Sequence, residues 1–171
     1  MINLTQYWET EGKKETVTIP FPFDEVSYYE ETYPVTRKEA VSLTFENVGK
    51  GKLRLLGEGQ FELQLPCDRC LEDVPTTIAF SIERELYSPE VELTEEQQDF
   101  QTCVEGYELD EEALLSEEIQ MNWPQKILCK EDCKGICKSC GQNLNKGTCD
   151  CDTFVPDPRM MQFQDIFNSI K

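Results

Sequence analysis

Residues 129–151 read CKEDCKGICKSCGQNLNKGTCDC, and six of the nine cysteines of the 171-residue chain lie in this run. The chain contains no histidine. Cysteines at close spacing favour disulfides in a secreted protein, whereas in a reducing compartment they are more often metal ligands or redox centres. The interpretation of the run therefore depends on the compartment.

The compartment is indicated by what the remaining sequence lacks. The N-terminal sequence MINLTQYWETEGKKE has no apolar run flanked by basic residues, so it does not resemble a signal peptide. No window approaches the ~18 apolar residues that a membrane span requires. We therefore expect a soluble, cytoplasmic protein with free thiols and no membrane partner.

Two cysteine pairs share the spacing C-x2-C. Cys67 and Cys70 follow the strand-like segment QFELQLP, and Cys137 and Cys140 lie inside the run. This spacing lets a tight turn direct two sulfurs at one point, as in zinc ribbons and knuckles. Gly141, directly after the second pair, can adopt the left-handed conformation, which frees backbone N–H groups to face thiolate sulfur.

The simplest partition of eight cysteines is two tetrahedral all-thiolate sites. The first set would be Cys67, Cys70, Cys129 and Cys133. The second set would be Cys137, Cys140, Cys149 and Cys151, with the spacing C-x2-C-x8-C-x-C. Soft sulfur ligands favour zinc over calcium or magnesium. We therefore expect the protein to bind zinc, with two ions as the expected number and one as the minimum. A single shared site or an iron–sulfur cluster stays open, although no C-x2-C-x2-C spacing occurs.

The alternative from a different functional class is a thiol-based redox protein or a redox-sensing zinc switch. A catalytic C-x2-C normally lies at a helix N-terminus, whereas Cys67 follows a strand and Pro66. Without histidine there is no ordinary base for a cysteine nucleophile, and four sulfurs leave zinc no open position for a substrate. We therefore expect no enzymatic activity and no small-molecule substrate, and we interpret Cys103 as a lone thiol.

The charge is strongly acidic and uneven. The formal net charge is −18, and residues 1–125 hold 9 basic and 28 acidic residues, whereas residues 126–171 hold 7 and 6. An acidic surface repels nucleic acid at long range and attracts basic partners. A small basic patch able to contact phosphate is a weaker alternative, and its main candidates are Lys130, Lys134, Lys138 and Arg159.

The remaining pattern predicts an α+β fold in two parts. Residues 1–125 should form an antiparallel β-meander with an acidic loop and a helix capped by Asp110; whether the meander curls into a partial barrel stays open. Residues 126–171 should form the cysteine-rich zinc-binding segment and a closing helix. That helix would begin at Asp157 and Pro158 and present an apolar face of Phe163, Ile166, Phe167 and Ile170.

Several motifs together resemble the YceD-like family. They are LQLPCDRCLEDV, the run C-x3-C-K-G-x-C-x2-C-G-x-N-L-N, and the final DPR, and they cover about Val41 to the C-terminus. The resemblance implies a role in 23S rRNA accumulation and in assembly of the large ribosomal subunit, with no associated enzymatic activity. The partners it implies are the large-subunit precursor, a ribosomal protein or 23S rRNA itself.

Overall fold

The computed structural model describes residues 1–151. Two compact units divide the chain: the first combines Met1–Leu65 with Asp73–Ile127, and the second combines Pro66–Glu72 with the chain from Leu128 onward. The predicted closing helix and Arg159 lie outside the described residues.

The first unit is mostly antiparallel sheet. Its main sheet contains the strands β2 (Lys14–Ile19), β3 (Glu25–Tyr28), β4 (Glu31–Lys38), β5 (Val41–Gly49), β6 (Lys52–Pro66) and β7 (Asp73–Tyr87). A second, three-stranded sheet contains β1 (Ile2–Asn3), β8 (Val104–Glu105) and β9 (Glu108–Leu109). The helices are α1 (Thr5–Trp8), α2 (Glu95–Asp99) and α3 (Glu111–Met121).

The long strand β6 organises the main sheet. Its first half pairs with β5, with Glu58 opposite Ser42, and its second half pairs with β4, with Phe61 opposite Lys38. β7 also pairs with β6. Within residues 1–151 these strands do not close into a barrel, and the partial barrel left open by the sequence is not confirmed.

Alternating apolar residues form the core, as the strand pattern predicts. The side chains of Phe61, Leu63 and Leu65 on β6 are at most 1% exposed. Ile78, Phe80, Ile82 and Leu86 on β7 are also buried. Side chains alternate between the two faces of a strand, so one face of each strand supplies the core while the other carries polar residues.

The helix predicted around Asp110 is α3. The Asp110 carboxylate accepts hydrogen bonds from the backbone N–H groups of Glu112 and Ala113, both at 3.0 Å, which caps the helix. The strands β8 and β9 were not predicted, because two-residue strands carry no periodicity. None of the helices described within residues 1–151 has the length and apolar composition of a membrane-spanning segment.

Candidate metal centre

The eight cysteines of the two predicted sets lie in the second unit, and each set converges on one point. Within each set, the four Sγ atoms all lie within 4.8 Å of one another. The first group comprises Cys67, Cys70, Cys129 and Cys133. The second group comprises Cys137, Cys140, Cys149 and Cys151. The structure thus brings together the same two sets of four cysteines that the spacing suggests.

The sulfur–sulfur distances suit a metal site and not a disulfide. The Sγ atoms of Cys67 and Cys133 are 3.8 Å apart, and those of Cys70 and Cys129 are 3.5 Å apart. Two sulfurs bound tetrahedrally to one zinc ion lie about 3.8 Å apart when each bond is about 2.3 Å, whereas a disulfide bond measures about 2 Å. All nine cysteines are free thiols.

The first C-x2-C turn connects β6 to β7. The backbone N–H of Leu71 donates to the carbonyl of Cys67 at 2.9 Å, and the N–H of Cys67 donates to the carbonyl of Glu72 at 2.8 Å. Leu71 adopts a left-handed conformation with a φ of 60°. This closed loop of six residues directs the sulfurs of its first and fourth residues to the same side.

The second C-x2-C turn repeats this arrangement. The N–H of Gly141 donates to the carbonyl of Cys137 at 2.8 Å, and the N–H of Cys137 donates to the carbonyl of Gln142 at 2.8 Å. Gly141 occupies the left-handed position, with a φ of 74°. The two turns therefore share one backbone design with different side chains.

Backbone N–H groups favour the thiolate of the first cysteine in each turn. Burial opposes ionisation of Cys67, yet N–H groups donate to its sulfur and lower its pKa to about 6. The donors for Cys67 are the backbone groups of Cys129, Arg69 and Cys70. The pKa of Cys137 is also lowered to about 6, by the N–H groups of Cys140 and Ser139. Ligation by sulfur requires this thiolate form.

Other thiols in the same groups resist ionisation. Burial and the neighbouring sulfurs raise the pKa of Cys129 to about 12. The neighbouring sulfur of Cys140 and burial raise the pKa of Cys151 to about 12. Four thiolates this close would repel one another unless a cation offsets their charge. A soft divalent cation such as zinc therefore fits each donor set.

Arg69 and Gly135 hold the first group together across more than sixty residues of sequence. The Arg69 guanidinium donates to the carbonyl of Cys133 at 2.7 Å, and the N–H of Ile136 donates to the carbonyl of Arg69 at 3.0 Å. Gly135 has a φ of 76°, and a Cβ there would lie 2.9 Å from the Arg69 carbonyl oxygen. Only glycine suits both the conformation and the close approach.

Asn145 is a supporting residue that the cysteine spacing does not reveal. Its side-chain amide donates to the sulfur of Cys133 at 3.2 Å, and its carbonyl oxygen accepts from the N–H of Lys134 at 2.9 Å. Asn143 in turn accepts from the Asn145 side chain at 2.9 Å. The only sequence signal was the N-L-N segment of the family motif. Hydrogen bonds to ligand sulfurs orient metal ligands and tune their charge.

The two groups differ in burial. In the first, Cys67, Cys70 and Cys133 are buried and Cys129 is exposed. In the second, only Cys137 is buried, whereas Cys140 is exposed and the remaining two are half-buried. The first group is therefore the better protected from solvent.

The remaining predicted residues are not members of either cysteine group. Cys103 is buried in the core of the first unit, at 1% exposure, and burial raises the pKa of its thiol. Lys130, Lys134 and Lys138 are exposed on the second unit, and the Nζ atom of Lys130 lies 4.0 Å from Oδ1 of Asp132. Lys146, in the same unit, pairs with Glu72.

Comparison with protein families relates the chain to a family by sequence. The family model described as "Large ribosomal RNA subunit accumulation protein YceD" matches residues 55–167, which include all eight clustered cysteines. Comparison with curated proteins and with solved structures gives no match.

Proposed function

The chain belongs to the YceD family of large ribosomal RNA subunit accumulation proteins, and on that premise we propose that it is a non-enzymatic factor for 23S rRNA accumulation and large-subunit assembly. In this proposal each four-cysteine group holds one zinc ion as a structural element. The match over residues 55–167 carries the proposal.

The chemistry of the cysteine groups supports a structural role for zinc. Four sulfurs complete the usual coordination of zinc, so a substrate finds no open position. The second unit also has few buried apolar side chains among its described residues, so metal binding would supply much of its folding free energy. Zinc would thus stabilise the part of the chain that the family motif covers most densely.

The charge of the chain supports a protein partner. A net charge of −18 makes attraction to the RNA backbone unfavourable, whereas ribosomal proteins that bind RNA are generally basic. We propose that the acidic surface holds a basic ribosomal protein of the large subunit until rRNA displaces it. Binding of this kind should weaken as salt is added.

Depletion in cells tests the function. We expect loss of the protein to lower the ratio of 23S to 16S rRNA and to accumulate large-subunit precursors, measured by RNA quantification and gradient sedimentation. Cys67→Ser should reproduce the defect and Cys103→Ser should complement it, because Cys103 lies outside both groups. An unchanged 23S to 16S ratio after depletion would overturn the proposal.

Direct contact with rRNA through the second unit is a second candidate. Its supporting observation is the exposure of Lys130, Lys134 and Lys138; the sequence adds Arg159 as a further candidate. Replacement of all four by glutamine should weaken binding of a 23S rRNA fragment and reduce its salt dependence if this contact exists. Unchanged binding would exclude it.

The redox alternative is tested by counting metals and thiols. We expect native mass spectrometry to find two zinc ions and no disulfide. In the folded protein we expect almost no rapid thiol modification, because zinc would hold the eight clustered sulfurs and Cys103 is buried. A metal-free protein with a reversible disulfide would instead support redox chemistry.

A further inference from the structure

A wide groove in the first unit is lined by one strand and two helices. It lies between β7, α2 and α3 and has a volume of about 750 Å³. Phe100 and Met121 line it, and their side chains are 77% and 66% exposed. Two large apolar side chains this exposed in one groove are a common feature of interaction sites.

Carboxylates surround these apolar side chains. The lining contains five acidic residues against a single cation, Arg84. The acidic residues are Glu83, Glu85, Asp99, Glu117 and Glu118. A groove with this lining repels phosphate and attracts cations.

The charge of Arg84 is already used within the protein. Its guanidinium donates to Glu117 at 2.6 Å and to Glu118 at 2.7 Å, and its side chain is only 15% exposed. This bridge joins β7 to α3 and fixes one wall of the groove. Glu83 and Asp99 are exposed and have no ion pair within residues 1–151, so their charges remain available to a ligand.

The short helix α2 holds Asp99 and Phe100 in place. Thr94 and Gln97 form a reciprocal capping box at its start, and Phe100 is its C-terminal cap residue. The side chain of Gln101 accepts from the N–H of Tyr87 at 2.6 Å and donates to the Tyr87 carbonyl at 3.0 Å. The segment that carries Asp99 and Phe100 is thus held against β7 before any partner binds.

We propose that this groove binds a basic amphipathic protein segment, whose apolar side chains contact Phe100 and Met121 and whose Lys or Arg side chains pair with Glu83 and Asp99. Charge complementarity selects a cationic partner, and the two exposed apolar side chains select one that also carries apolar residues. The inference rests on the proposed function in one respect: it assigns the basic ribosomal protein a place to bind.

The test measures binding of two synthetic peptides to the zinc-loaded full-length protein by fluorescence anisotropy. One peptide carries lysine and leucine at helical spacing, and the other carries serine in place of leucine at equal charge. We expect the lysine–leucine peptide to bind more tightly, by about tenfold or more. Equal binding of both peptides would overturn the proposal, because it would show a response to charge alone.

Two matched double variants locate the site. Glu83→Lys with Asp99→Lys should weaken binding of the lysine–leucine peptide about tenfold, because two attractive pairs become repulsive. Glu30→Lys with Glu105→Lys changes the net charge equally, at exposed positions outside the groove, and should weaken binding less than about twofold. Equal losses in both double variants would overturn the assignment to this groove.

The apolar part of the groove has its own control. Phe100→Ser with Met121→Ser should abolish the preference for the lysine–leucine peptide, whereas Tyr29→Ser, at a 90% exposed aromatic outside the groove, should preserve it. Circular dichroism confirms that each variant is folded. Absent peptide binding would overturn this inference alone, whereas normal 23S rRNA in depleted cells would overturn the proposed function alone.

Discussion

The two C-x2-C turns have the same backbone hydrogen bonds, but the cysteine groups around them differ in burial and in sequence range. The first group joins a turn at residues 66–72 to the chain after 128, and three of its cysteines are buried. The second group closes within residues 137–151, and one of its cysteines is buried. One turn design thus serves both a long-range connection and a local loop.

The largest loss of stability that we predict follows from the difference in sequence separation between the ligands of the two groups. Cys67→Ser removes a buried ligand that connects distant segments, so we expect it to destabilise the zinc-loaded second unit by about 3 kcal/mol or more. Cys149→Ser, at a half-buried position of the local loop, should cost less. Hydrogen exchange of the backbone amides of residues 128–151 measures the loss of stability in both variants. Equal losses would mean that the two groups fold as one unit.

Replacement of Asn145 tests whether a hydrogen bond to a ligand sulfur affects zinc affinity. Asn145→Ala removes the amide that donates to Cys133, so we expect zinc affinity of the first group to fall about 10- to 100-fold. Gln142→Ala is the matched control, because its side chain donates instead to the carbonyl of Thr148. Competition with a chromophoric chelator measures the affinities. An effect no larger than that of the control would limit Asn145 to a structural role.

The difference in burial predicts the order of metal loss. A chelator should remove zinc from the second group at least about tenfold faster than from the first, because buried sulfurs are less accessible to the competing ligand. Native mass spectrometry over time should therefore show a one-zinc intermediate. In Cys149→Ser only the slow phase should remain. Simultaneous loss of both ions would contradict the difference.

The pH dependence should be similar for the two turns. The pKa of Cys67 and that of Cys137 are both about 6, below the ordinary thiol value. In the metal-free protein, stabilisation by these two thiolates is fully present above about pH 9 and is lost as the pH falls to about 6. Below about pH 6 the protonation of Cys67 and Cys137 should lower zinc affinity by a further factor of about ten per pH unit in each group, in addition to the loss caused by the thiols of higher pKa. Thiolate absorbance and zinc competition across this range measure both effects.

The smallest effect concerns the left-handed position of each turn. Leu71 has a φ of 60° and is 64% exposed, so Leu71→Gly should relieve strain with little loss of apolar burial and stabilise the first turn by about 0.5–1 kcal/mol. Gly141→Ala should destabilise the second turn by about 1 kcal/mol, although no atom lies within 4 Å of the added Cβ. Zinc competition should show changes of up to about fivefold in opposite directions. Changes of the same sign would show that the turns are not equivalent.

The parts of the fold that could be predicted from the sequence are those set by residues close together in the chain. Phe61, Leu63 and Leu65 alternate, and they are buried on one face of β6 because side-chain direction in a strand follows covalent geometry. The cap at Asp110 was predictable for the same reason, since a cap and its partners lie within three residues. The two-residue strands β8 and β9 were not, because their pairing with each other and with β1 depends on contacts that no local pattern contains.

The cysteine spacing is enough to show which sulfurs can share a turn, because two residues between cysteines restrict the backbone to a few tight loops. The folded structure was needed to show that Gly135 contacts the Arg69 carbonyl, that Asn145 donates to Cys133, and that Cys103 lies in the core. It also brought Phe100 and Met121 into one acidic groove. These arrangements join residues that are distant in sequence or belong to different elements, and packing in three dimensions selects them.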